Sequence, residues 1–403
     1  MADPIIRLKP RKERPVLLGH PWIFSGAVAN LDPTMEPGTI VTVQSASGEV
    51  LGRAYVNPRC AIAVRMLTRA DEPIDAEWLQ RRVAAARELR RAVLPPGTDA
   101  YRLINGEGDF LPGFIADVYA ATVVIQCLTA GAARLKRLLV QALQAIVPGA
   151  GLYERSVGNV RREEGLGAEE GILAGDVSNE PVQVAECGLR FLVDVRAGQK
   201  TGFFLDQRDN RQLVRSLAGG RSVLNAFGYT GAFAVYAAAG GARQVTSVDS
   251  SARALELARR NWACNALPAA AGEFVEADVF RYLRECERAA DLLVLDPPAL
   301  VKRRAELARG ARAYKDLHLW AFRRAMPGAY VATFSCSQHV SPEVFWGIVH
   351  AAARDAGRSV QVLRQLGAGA DHPVSVAHPE GLYLKGLLLR VGGGHSRQPA
   401  VTT

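Results

Sequence analysis

The stretch Val223-Leu-Asn-Ala-Phe-Gly-Tyr-Thr-Gly-Ala-Phe-Ala-Val235 runs from an apolar strand-like segment through a glycine turn into a helix-forming segment. Its glycines fall as GxxGxxA rather than GxGxxG, and no GKS or GKT follows. A pyrophosphate cradle is therefore poorly supported, although glycines after a strand still let a ligand approach the backbone closely. Apolar runs at 222–226, 244–248, 273–277, 291–295, 329–334 and 383–390 alternate with helical stretches. That alternation predicts an α/β fold with a parallel sheet covered on both faces. Open sheets of this kind bind ligands outside the carboxyl ends of their strands, so the chemistry is expected just after each run.

Working outward, QVTSVDS ends at Asp249, placed to accept hydrogen bonds from both hydroxyls of a ribose. EFVEAD ends at Asp278, where a carboxylate can receive an adenine amino group. Either acid alone reads equally as a helix cap. Three features at three successive strand ends describe an adenosine without phosphates, which means S-adenosylmethionine. DLLVLDPPAL gives Asp296-Pro297-Pro298: the prolines stop the strand and the carboxylate faces the reacting centre. Methyltransferases acting on exocyclic nitrogens carry an aromatic after such a motif, and Ala299 stands there instead, against adenine N6 chemistry. AYVATFSCS places Cys336 at the end of the next strand. A lone cysteine is commonly a small buried hydrophobe; here its position suits a thiolate adding to C6 of a cytosine. Such a thiolate needs a nearby positive charge, for which Lys200 and Lys385 are the candidates.

The rest of the chain reads as two smaller pieces. Residues 1–72 carry short alternating runs with turns between them, a small all-β module with Trp22 and Phe24 as expected core aromatics. Residues 73–185 mix strands with helices: one from Asp75 to Leu94 whose exposed face carries Arg81, Arg82, Arg87, Arg90 and Arg91, and one through Leu135–Ile146. The catalytic segment spans 186–391, and 392–403 reads as a disordered tail. With 49 Lys and Arg against 40 Asp and Glu, the formal net charge is +9, which favours an anionic partner. Arg7, Lys9, Arg11, Lys12 and Arg14 form the densest basic cluster, either a solvated tail or a phosphate-contacting arm. The six cysteines show no CxxC and no metal-ligand spacing, so no metal is expected. No apolar run reaches the length of a membrane span and the charged beginning is unlike a signal peptide, so a cytoplasmic protein without membrane association is expected.

In HPWIFSGAV (20–28), GQKTGFFLDQRDNR (198–211), NAFGYTGAFAV (225–235), VDSSARALELARRN (248–261), DPPALV (296–301), ARAYKDL (311–317), TFSCS (333–337), DHPV (371–374) and EGLYLKG (380–386), the chain resembles the RlmI type of 23S rRNA (cytosine-5)-methyltransferase. The resemblance implies a PUA-like RNA-binding domain at 1–72, an α+β middle domain and a Rossmann-like class I methyltransferase domain. It implies S-adenosylmethionine as methyl donor and 23S rRNA as partner; a homodimer is compatible with it. By position, Asn225, Phe227, Gly228, Tyr229, Thr230 and Gly231 correspond to the loop on the methionine side, Asp249 to the ribose contact, Asp278 to the adenine contact and Gln207 to a further cofactor contact. Cys336 corresponds to the nucleophile and Asp296 to the residue that holds the base, with Lys200, Pro297, Pro298 and Lys385 as further candidates for substrate contact. Relatives often carry serine where Gly228 stands, so a looser loop is expected, and many carry lysine where Ala299 stands. No second cysteine follows the prolines, so product release needs another group. Two rival readings remain: methylation of a base nitrogen such as guanine N7, which needs no thiol, and a non-catalytic RNA-binding assembly factor.

Overall fold

The structure, a computed structural model, describes residues 3–394. Contacts divide the chain into two compact units. The first comprises Met1–Gly188, Val193–Leu205 and Ala370–Gly381, and the second Leu189–Leu192, Asp206–Gly369 and Leu382–Thr403.

In the first unit, strands Ile5–Arg7, Thr39–Gln44, Val50–Val56, Ile62–Thr68 and Trp22–Phe24 form one sheet in that spatial order. Period-2 alternation buries Val41, Val43, Ala54 and Val64 on one face. The basic cluster is not a loose tail: Ile5–Arg7 pairs in parallel with Thr42–Gln44, and all five cations stay exposed. Phe24, expected in the core, is 53% exposed, because the buried side of its short strand belongs to Ile23. A second sheet, ordered Glu169–Ala174, Gly151–Ser156, Thr122–Cys127, Phe114–Tyr119 and Ala100–Asn105, packs with helices Ala76–Val93 and Ala130–Ile146. Asp75 and Thr129 cap those helices by accepting the N–H groups of Trp78 and Ala132.

The change of pattern near residue 72 is a change of sheet inside one unit. Tyr55 of the first sheet is buried, its hydroxyl 2.8 Å from Thr129 Oγ1, and its ring lies where a side chain on Gly131 would stand. Arg65 Nη2 donates to Glu164 at 3.0 Å. The exposed arginine face also needs correction. Arg90 lies seven residues after Val83 and four after Ala86, on the apolar stripe, and is buried in a bidentate pair with Asp109 at 2.5 and 2.7 Å. Two later segments belong to this unit for similar polar reasons. Thr201 donates to Asp117 at 2.6 Å, and Asp371 accepts from Arg90 and from the Arg102 N–H at 2.8 and 3.0 Å.

The second unit is built on a seven-stranded sheet. Its strands, in chain order, are β1 Ser222–Ala226, β2 Gln244–Asp249, β3 Gly272–Glu276, β4 Ala290–Leu295, β5 Ala325–Ser335, β6 Arg358–Leu366 and β7 Lys385–Gly394. Their spatial order is β3-β2-β1-β4-β5-β7-β6. The helices are α1 Arg208–Leu217, α2 Ala232–Ala239, α3 Ala252–Cys264, α4 Val279–Glu285, α5 Leu307–Arg324 and α6 Pro342–Ala356. The strands from β3 to β5 are parallel, as expected, and Leu292–Leu295 are completely buried. β7 is antiparallel to both β5 and β6, a reversal the wholly parallel expectation lacks. β6 escaped the sequence reading because it is an edge strand with many partly exposed residues, so its apolar run is broken by Gln361, Arg364 and Gln365. β7 also runs three residues past 391, into the expected tail; residues 395–403 lie outside the described residues. No helix among the described residues is long and apolar enough to cross a membrane.

Removing one member of a buried, bidentate ion pair strands the other without solvent. Arg90→Ala is expected to lower stability by about 3–5 kcal/mol, measured by denaturant unfolding of the whole chain.

Candidate active site

The carboxyl ends of β3, β2, β1, β4 and β5 lie side by side in the sheet, so each predicted strand-end feature reaches one rim. The loop after β1 is a compressed turn. Phe227 and Tyr229 have φ of 60° and 45°, values that non-glycine residues rarely adopt. Asp249 holds this shape: Oδ2 accepts the Tyr229 N–H at 2.8 Å and Oδ1 the Ser251 N–H at 2.9 Å. Each carboxylate oxygen can accept two hydrogen bonds, so these backbone contacts are compatible with a further donor. Gly231 has φ of 77°, and a Cβ there would stand 2.8 Å from Ala258 of α3. The loop thus rests directly on that helix.

Gly228 does something other than loosen the loop. A Cβ at this position would stand 2.1 Å from Ser247 Oγ and 3.0 Å from Asn225 Nδ2. Asn225, buried at the end of β1, donates to the same Ser247 hydroxyl at 3.0 Å. The space a larger residue at 228 would need is therefore filled by a hydroxyl from β2, and the turn is packed. Beside it the Thr230 hydroxyl is buried with no protein partner.

The second half of the rim is organised by Tyr314 on α5. Its hydroxyl accepts from Ser335 Oγ at 2.9 Å and lies 3.0 Å from Ser337 Oγ, gripping both neighbours of Cys336. Ser337 Oγ in turn accepts the Val301 N–H at 3.1 Å, tying the loop after Asp296-Pro297-Pro298 to the cysteine loop. One turn along α5, His318 donates from Nδ1 to the Tyr314 carbonyl and accepts the Thr333 hydroxyl at Nε2 (2.6 and 2.8 Å). Burial pushes its pKa down to about 4, so it is a neutral strut under the strand end.

Because β7 is antiparallel to β5, its first residue pairs with the last residue of β5: Lys385 stands opposite Ser335. The Lys385 ammonium donates to the Ser337 carbonyl at 2.8 Å. Burial lowers its pKa, and the electrostatic interaction with Cys336 opposes that shift. Lys385, one of the two lysines considered as the charge for the thiol, thus interacts with it electrostatically. Cys336 itself is half-buried at the edge of the apolar cluster.

Asp296 is half-buried, Pro297 buried and Pro298 exposed at the end of β4. Asp278 is exposed and caps α4 through the Arg281 N–H at 2.8 Å, the bland role its position allowed. Gln207 is buried at the start of α1, where its Oε1 accepts from Asn210 at 2.6 Å. Lys200 belongs to the first unit, exposed, with its ammonium 4.5 Å from the Phe204 ring centre. Ser247, Asn261 and Tyr314 were missed. Asn261 is buried on α3, donating to the Thr230 carbonyl at 2.9 Å and accepting the Leu192 N–H at 2.7 Å. A fully buried asparagine and tyrosine on amphipathic helices were the only hints.

The strand order with its reversed last strand, the glycine turn and the acid after β2 define the fold of S-adenosylmethionine-dependent methyltransferases. A family model for S-adenosylmethionine-dependent methyltransferases matches residues 135–380, and one for PUA-like domains residues 6–69. Ribosomal RNA large subunit methyltransferase I of Pseudoalteromonas atlantica is 43% identical over 96% of this chain and 99% of its own length. The Erwinia tasmaniensis protein of the same name is 42% identical over 94% and 97%. A solved chain, SMU.776, described as a methyltransferase complexed with SAH, superposes with a TM-score of 0.82 at 23% identity, covering 97% of this chain and 100% of that one. The chain belongs to the ribosomal RNA large subunit methyltransferase I family, S-adenosylmethionine-dependent enzymes that methylate ribosomal RNA. The turn fits that cofactor: the buried, unpartnered Thr230 hydroxyl and the Asp249 carboxylate offer hydrogen bonds to an uncharged nucleoside, and nothing in it cradles phosphate.

Adding a side chain at 228 crowds Ser247. Gly228→Ser is expected to weaken S-adenosylmethionine binding by about 1–3 kcal/mol through overpacking. Calorimetry should show recovery of much of that loss when Ser247→Gly is added.

Proposed function

We propose that this enzyme methylates C5 of a specific cytosine in 23S rRNA through a covalent adduct on Cys336. The observation that carries the reading is the cysteine at the carboxyl end of β5, with its flanking serines held on Tyr314 and the Lys385 ammonium beside it. Nitrogen methylation asks for none of this, since a base nitrogen already owns a lone pair. Aromatic C5 is a poor nucleophile until the ring's conjugation is broken.

In this reading the target cytosine leaves its stack to reach the rim. Lys385 favours the thiolate of Cys336, whose sulfur forms a bond to C6 as the C5=C6 electrons move towards C5 and the ring carbonyl and N3. Asp296 holds the base by accepting from its N4 amino group, while Pro297 and Pro298 fix its loop. S-adenosylmethionine, when bound, supplies the methyl group as an electrophile. The residues proposed to hold it are Asn225, Phe227, Gly228, Tyr229, Thr230 and Gly231 in the turn, Asp249 at the ribose, Asp278 near the adenine, and Gln207. Loss of the C5 proton to a base other than a second cysteine then restores C5=C6 and expels the Cys336 thiolate. Lys200 is proposed to contact the RNA.

RNA containing 5-fluorocytosine lacks the C5 proton, so the adduct cannot resolve. A denaturation-resistant enzyme–RNA complex is expected for the native chain and none for Cys336→Ala; full turnover by that variant would overturn the thiol mechanism. Lys385→Met removes the cation that favours the thiolate. The acid limb of its kcat/KM profile is therefore expected to move to higher pH, by about one unit if the interaction is worth 1.4 kcal/mol.

A further inference from the structure

We infer that a second nucleobase of the ribosomal RNA is held in a cavity of the first unit. The cavity, about 520 Å³, is lined among others by Leu18, Arg69, Arg82, Glu107, Phe110 and Val376. Phe110 is its unusual member. It ends a short turn in left-handed backbone (φ 59°, ψ 31°) and leaves a large ring 56% exposed. Glycine or asparagine would adopt that backbone at lower cost, so the ring is held at the surface against its own preference.

The neighbours supply the chemistry of base recognition. The Arg82 guanidinium lies 5.8 Å from the Phe110 ring centre and 5.6 Å from that of Trp78. A planar cation beside an exposed ring gives a stacking site for any base. Leu18 and Val376 are 69% and 102% exposed, apolar walls with no protein cover. Arg69 is fixed by donating to the Val16 and Leu17 carbonyls at 2.6 and 3.3 Å, which sets a cation on the cavity wall for a flanking phosphate. The Glu107 carboxylate, oriented by the Trp22 indole N–H at 2.8 Å, can accept from a base amino group. One unstacked nucleotide uses base edge, base face and phosphate at once.

This inference rests on ribosomal RNA as the substrate, not on the carbon-5 chemistry, and its readout is binding. In filter binding of transcribed 23S rRNA by the full-length enzyme, Phe110→Ala is expected to bind about tenfold more weakly, the loss of one stacked base. The slope of affinity against salt should be unchanged because no phosphate contact is lost. Phe110→Trp should bind like the native chain. Phe110→Gly should bind as weakly as Phe110→Ala while melting no lower than it, since glycine relaxes the backbone. S-adenosylmethionine affinity by calorimetry should be the same in all three. Native-like RNA affinity in Phe110→Ala, or Phe110→Trp as weak as Phe110→Ala, overturns the inference. The readout is equilibrium binding, so failure of the thiol mechanism would be seen separately, in the 5-fluorocytosine trapping.

Discussion

The pairing of Ser335 with Lys385 across two antiparallel strands is the constraint on which the candidate rim depends. Were β7 parallel to its neighbour, as the other strands are, its first residue would lie at the opposite edge of the sheet, some 20–30 Å away at about 3.3 Å per residue. Reversal brings an ammonium group to the end of β5 through backbone register alone, without a long loop. A slip of one residue would exchange the two faces of β7, taking Leu387, Leu389 and Val391 out of one apolar cluster and Leu388 out of the other, and would move Lys385 off Ser335.

Around this pairing the rim divides into a stiff half and a compressed half. The stiff half is a chain of short polar contacts: the His318 ring under Thr333, Tyr314 under both serines, Val301 on Ser337. None involves an ionised group, so its geometry is insensitive to pH across the neutral range. The compressed half is backbone held in uncommon conformations at Phe227 and Tyr229, stabilised by the Asp249 carboxylate. Such strain persists only where surrounding contacts outweigh it, and Asn261, Ser247 and Ala258 provide them from two neighbouring elements.

Much of this was legible in the sequence because strand-end chemistry is local. Asp249, Asp296 and Cys336 each follow an apolar run directly, so finding the run found the residue. Strand direction was not legible, since the apolar run of β7 reads the same in either sense. β6 was missed because an edge strand keeps polar residues on its open side. Arg90 defeated the charge reading because one arginine of five sits on the apolar stripe, and only Asp109 reveals that it is buried. Tyr314 and Ser247 were illegible for a further reason: their partners lie on other elements, and no spacing along the chain encodes a contact between α5 and β5 or between β2 and the turn.

The inclusion of Ala370–Gly381 in the first unit bears on how the protein is made. Arg90 and Arg102 both bind Asp371, so an N-terminal body begun early in translation is completed only when one of the last segments emerges. At about 5–20 residues per second, the nascent chain spends roughly 10–30 s between delivering Leu205 and delivering Ala370. Over that interval one Arg90 N–H and the Arg102 backbone N–H wait for the Asp371 carbonyl and carboxylate, while the chain of the methyltransferase sheet is made between two segments of the first unit.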